Sequence, residues 1–174
     1  SQMEIVDMAP PEGAVALSQG NVDMACGYGG GLRRMMEHGN VLLTGAEKED
    51  LGILVFDVTS TPVDFAAEEG ALLSQFLKVT ADMNAMWNSG EHTAEMLPVI
   101  AKDAGMEPAA AEASLATFTF PSVSDQLGDK WLGGGVQTFM SGVAQVFADA
   151  GSIPQVLDSY EASVDASHLA AVAE

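Results

Sequence analysis

At 174 residues and 18.0 kDa, the chain is long enough for one domain with a sizeable core and short for two. Hydrophobic residues make up 48% and charged residues 18%, a globular composition and not a disordered one. Six Lys and Arg against 25 Asp and Glu give a formal charge of -19, which excludes nucleic acid as a default partner and disfavours anionic membrane surfaces. The acids divide evenly between the two halves of the sequence, so the charge is a solvating property of the whole chain, read as adaptation to a salty or extracellular milieu. Cys26 is the single cysteine, so neither an internal disulfide nor a thiolate metal cluster can form. That scarcity suits the cytosol and a Gram-negative periplasm equally. No apolar run approaches the length of a membrane span, and no signal peptide is read. The direct opening on a strand-like stretch reads as a truncated or processed chain.

Residues 3–60 alternate short strand and helix signals. Met3-Glu4-Ile5-Val6 reads as a strand, followed by a turn around Pro10-Pro11. A short helix then runs to Gln19, with Gly20 as its C-terminal cap. Val22 to Cys26 is a second apolar run, and Gly31 to His38 a second short helix that ends before Gly39. Val41-Leu42-Leu43 reads as a third strand and Gly52 to Val58 as a fourth. Strands separated by helices predict an α/β fold with a parallel, doubly wound sheet.

Residues 61–151 read as mostly helical. Thr61-Pro62-Val63-Asp64 is a helix start, with Thr61 as cap and Pro62 at the first position. Leu72, Phe76, Val79, Met83 and Trp87 form a stripe at helical spacing, widened by Leu73 and Leu77. Val136, Phe139, Met140, Val143, Val146 and Phe147 form another. Weaker helices are predicted at Thr93–Ala104 and Pro108–Ala116, and Ser122 caps a further one. Three or four strands in about fifty residues do not complete a doubly wound domain. The later helices therefore lack a sheet to cover, and that sheet is expected outside this chain.

Several segments resemble a known family. Asp7-Met8-Ala9-Pro10-Pro11-Glu12 and Gly20-Asn21-Val22-Asp23-Met24-Ala25 are similar to the second lobe of periplasmic substrate-binding proteins of ABC importers. The nearest group is the taurine-binding branch of the nitrate/sulfonate/taurine class. Phe56-Asp57-Val58 with Asp64-Phe65-Ala66, then Trp131-Leu132-Gly133 and Ile153-Pro154-Gln155-Val156-Leu157-Asp158-Ser159-Tyr160, extend the resemblance over almost the whole chain. It covers about the second half of such a protein. The resemblance implies part of a type II periplasmic-binding-protein clamshell. Residues 1–50 would belong to lobe two, 51–60 would be the hinge-crossing strand, and 61–174 would be C-terminal helices packed on lobe one. It also implies a periplasmic solute receptor, no enzyme and without cofactor, that delivers taurine or a related organosulfonate to an ABC permease subunit.

A taurine-like zwitterion needs donors or cations for its sulfonate and a carboxylate for its ammonium. Asp57, set among Ile53, Leu54, Val55, Phe56 and Val58, is the candidate carboxylate; a solvent-facing residue or a partner for Arg33 or Arg34 is the plainer alternative. Tyr28-Gly29-Gly30-Gly31 leads into a helix whose first N–H groups suit an anion, although on pattern alone it is a flexible turn. The resemblance makes Tyr28 a ligand wall, with Gly29 and Gly30 beside it. The family's turn is usually bulkier and less rich in glycine. Met8, at a cleft rim or in a packed turn, and Thr59, as a donor from the hinge strand, complete the candidate set. His38, His92 and His168 share no metal-ligand spacing, and no nucleophile constellation is present. Gly133-Gly134-Gly135 reads as a loop before a helix. Two other readings stand beside the receptor: an enzyme like those of thiamine-pyrimidine biosynthesis, and an acidic helical interaction module. Unpartnered helical stripes also predict either a homodimer or helices packed back on the chain's own short sheet.

Overall fold

The computed structural model describes residues 4–173, and among them helix is the only regular structure. In chain order the helices are α1 (Pro10–Ser18), α2 (Gly29–Met36), α3 (Gly45–Asp50), α4 (Val63–Glu68), α5 (Gly70–Ser89), α6 (Thr93–Asp103), α7 (Pro108–Leu115), α8 (Val123–Leu127), α9 (Gly135–Asp149) and α10 (Ser167–Ala170). A 3-10 turn at Glu161–Ser163 precedes the last of them.

This corrects the expected fold. Helix accounts for 56% of the described residues and strand for none, so neither a doubly wound sheet nor a type II clamshell is present. Met3 lies outside the described residues, and Glu4 to Val6 are irregular and exposed. Val22–Cys26, Val41–Leu43 and Gly52–Val58 are also irregular, so residues 51–60 are not a crossing strand. The physical reason is pairing. A strand satisfies its backbone only in a ladder, and these short runs are separated by segments that close their own bonds as helices. Pro10 and Pro11, expected in a turn, instead open α1, where the missing N–H groups cost nothing.

The chain divides into two compact units. The first contains Ser1–Thr44 and Glu95–Thr119. Its main packing is α1 on α2, with α7 also against α2. The approach is close: a Cβ on Gly31 would lie 2.7 Å from the Pro10 side chain, so α2 can meet α1 here only as glycine. Met35 is buried in this contact, with its thioether against Gly13 and Gly27. Ala14, Ala101 and Ala111 complete a core of small residues.

The second unit contains Gly45–Ala94 and Phe120–Glu174. Here α10 packs on α5 and α8, and α4 packs on α5. Leu73, Val136, Ala144 and Leu169 are its buried apolar residues. Ser122 caps α8 as expected, accepting from the Asp125 N–H at 3.1 Å. The cap of α4 falls on Pro62, one residue beyond the predicted Thr61. Gly133 and Gly135 let the chain fold back on Gly128–Lys130 before α9, since a Cβ on either would strike that backbone.

Candidate functional site

In the first unit, α2 begins at Gly29 with Tyr28 as its N-cap. The Tyr28 backbone is extended and its carbonyl accepts from the Leu32 N–H at 3.2 Å. No side chain caps the first turn, and the Tyr28 ring is 62% exposed. A Cβ on Gly29 or Gly30 would meet nothing within 4 Å, so the backbone there is open to solvent. Arg33 and Arg34 occupy the last turn of α2, where cations oppose the negative end of the helix dipole. Met8 is half-buried and its thioether lies beside Gly13 of α1. Met35 is the common neighbour, with Gly13 on one side and Gly27, next to Tyr28, on the other. Met8, Tyr28, Gly29 and Gly30 thus belong to one packed unit.

Asp57 and Thr59 belong to the second unit, in the irregular segment between α3 and α4. Both are exposed. Within its unit, Asp57 has no charged partner among the described residues.

The residue next to Asp57 has a defined setting. The Phe56 ring meets Trp131 edge-on, with centroids 5.8 Å apart at 79°, and Phe139 at 5.7 Å and 65°. Such tilted contacts set the positive edge of one ring against the negative face of another. Lys130 Nζ lies 4.9 Å from the Trp131 ring centroid and 2.7 Å from Glu49 Oε2, which ties α3 to the turn before α9. Beside Phe56 opens an apolar recess of about 300 Å³. Phe139, Met140, Val143, Ala144 and Phe147 of α9 form one wall, and Ile153 and Tyr160 approach from the chain that follows.

The recess was not anticipated. Phe139 to Phe147 carried a visible helical stripe, but nothing local joins them to Phe56 or Tyr160. No group of three His, Cys, Asp or Glu among the described residues is placed to hold a metal ion. No helix of the described chain is long and apolar enough to cross a membrane. The groups that the described residues offer are an open helix start beside a tyrosine, an accessible carboxylate and an apolar, aromatic-lined surface. No protein-family model, curated protein or solved structure matches the chain.

Proposed function

We propose that the chain is a solute-binding component of an ABC importer. It captures taurine or a related organosulfonate in the periplasm and presents it to the permease. The order and spacing of the segments from Asp7 to Tyr160 carry this reading, which rests on sequence and not on a shared fold. The chemistry assigned to the residues follows from the solute. The uncapped first turn of α2, at Gly29 and Gly30, offers N–H groups to a sulfonate, with Tyr28 beside it. In the second unit, Asp57, exposed in an otherwise apolar stretch, is the carboxylate that the resemblance assigns to an ammonium. Thr59 supplies a hydroxyl near it in sequence, and Met8 lies beside Gly13 of α1, in the same unit as Tyr28.

Calorimetric titration with taurine and with simple alkanesulfonates is the test. An intact receptor containing this chain is expected to bind taurine, and Asp57→Asn to weaken it by roughly 1.5–3 kcal/mol, the worth of a hydrogen bond to a charged group. The chain by itself, similar to about half of such a receptor, is expected to bind it weakly or not at all. Unfolding of the variant should stay near that of the unaltered chain, because the carboxylate has no ion-pair partner among the described residues. Absence of heat with every sulfonate from such an intact receptor would overturn the reading.

A second reading, an acidic helical interaction module, is favoured by one observation. Leu72, Phe76, Val79 and Met83 of α5 lie exposed. Retention of a protein partner together with no response to any sulfonate would favour it.

A further inference from the structure

We propose that the unpaired segment 55–61 pairs antiparallel with the same segment of a second copy of the chain, in a register centred on Val58. This seam is separate from the exposed stripe of α5. It uses backbone groups and needs no solute, so it is independent of the taurine reading.

Backbone chemistry comes first. Helix α3 closes at Gly52, φ 78°, whose N–H donates to the Glu49 carbonyl at 2.8 Å, while the Ile53 N–H donates to the Lys48 carbonyl. Beyond that closure the chain runs to Pro62 without a turn or bend. From 54 to 61 no backbone N–H or C=O has a hydrogen-bond partner among the described residues. Residues 57–61 are all exposed, which leaves this backbone open to a partner. Another extended backbone is the partner that offers donors and acceptors at the matching spacing. Val55, Phe56, Val58, Thr59 and Thr61 are residues that favour such pairing. Pro62, which has no N–H, ends the stretch.

Charge selects the occupant. Asp57 is the single charged residue from 51 to 63, in a chain with 25 acids, so two copies meet here with little local repulsion. The segment also matches itself. About Val58 the pairs are Val58 with Val58, Asp57 with Thr59, Phe56 with Ser60 and Val55 with Thr61. Each Asp57 carboxylate then lies across from a hydroxyl that can donate to it, on both sides of the centre. A parallel, in-register pairing would set Asp57 against Asp57, as would an antiparallel one centred on Asp57. The centre on Val58 also brings the copies together at the exposed end of the stretch, and not at Phe56, whose ring is engaged with Trp131 and Phe139.

The test is amide hydrogen exchange of the full 15N-labelled chain, followed by NMR at low and high chain concentration in about 0.15 M salt. That salt screens long-range repulsion but not contacts across a ladder. As concentration rises, alternate amides within 55–61 should slow together, because a strand bonds along one edge at every second residue. Thr59→Asp, which sets carboxylate against carboxylate twice by symmetry, should weaken dimerisation about tenfold in sedimentation equilibrium. Ser60→Asp adds the same charge opposite Phe56 and should weaken it far less. Exchange in 55–61 that ignores concentration, a dimer in which these amides stay unprotected, or equal dimerisation of the two variants would overturn the proposal. Should either variant fail to fold, the unaltered chain decides: alternating, concentration-dependent slowing upholds the pairing and its absence overturns it. No sulfonate is present, so neither result bears on the taurine reading.

Discussion

Asp165 is a carboxylate held ionised by its own turn. The Ser167 hydroxyl is the larger cause and the Ser167 backbone N–H, 2.9 Å from Oδ1, the second; His168 adds a weaker Coulombic pull. Together they hold the carboxyl below its ordinary value of 3.8 against a small opposing desolvation. A depressed folded pKa stabilises the fold above the unfolded value and loses that contribution as pH falls through the folded one. The turn before α10 therefore keeps its full contribution at neutral pH and loses it only in strong acid. Ser167→Ala removes the hydroxyl but keeps the N–H, so the Asp165 carboxyl should titrate higher, closer to 3.8, when followed by 13C NMR. An unmoved midpoint would show that the hydroxyl does not hold the anion. At this scale the sequence exposes some residues and hides others. Asp57 stands out because a charge interrupts an apolar run, and Tyr28 because glycines follow it. Phe56 and Tyr160 give no such signal, since their joint setting depends on chain segments about a hundred residues apart.

The helix α5 spans twenty residues and stops at a defined point. Gly90 takes the left-handed conformation, φ 72°, and its N–H donates to the Trp87 carbonyl at 3.0 Å. A side chain there would meet no neighbour within 4 Å, so the cost of adding one comes from backbone strain alone. Gly90→Ala should therefore destabilise the second unit by about 1–2 kcal/mol in urea unfolding, with an unchanged denaturant slope. No loss of stability would show that the cap is not fixed. The longer helices were legible because their signals are local. A 3.6-residue stripe marks α5 and α9, Pro108 opens α7, and Ser122 with Asp125 starts α8. The apolar runs misled because a strand is not a local property. Val41-Leu42-Leu43 and Ile53 to Val58 have strand-like composition, yet whether they pair depends on distant chain, and here they stay unpaired. The short α3 was missed for the opposite reason, since its Glu47-Lys48-Glu49-Asp50 has helix-forming character but no apolar face.

For the whole molecule, apolar burial and charge oppose each other. Eight apolar residues are buried among the described residues, none of them aromatic, while Leu72, Phe76 and Val79 of α5 and Val146 and Phe147 of α9 are at least half exposed. Each square ångström of apolar surface withdrawn from water contributes about 25 cal/mol, so these helical faces favour association with a second copy. The charge of -19 resists it, because bringing two such chains together concentrates like charge. Screening decides the balance. The Debye length falls from roughly 30 Å at about 0.01 M salt to 3 Å at about 1 M, which removes most of the repulsion and leaves the apolar attraction in place. Sedimentation velocity should therefore show self-association that strengthens as salt is raised. Phe76→Glu, on the exposed stripe of α5, should weaken it by removing apolar area and adding charge to that face. A monomer at both salt concentrations, unfolding cooperatively in each, would show that these faces need no partner and that the small cores suffice.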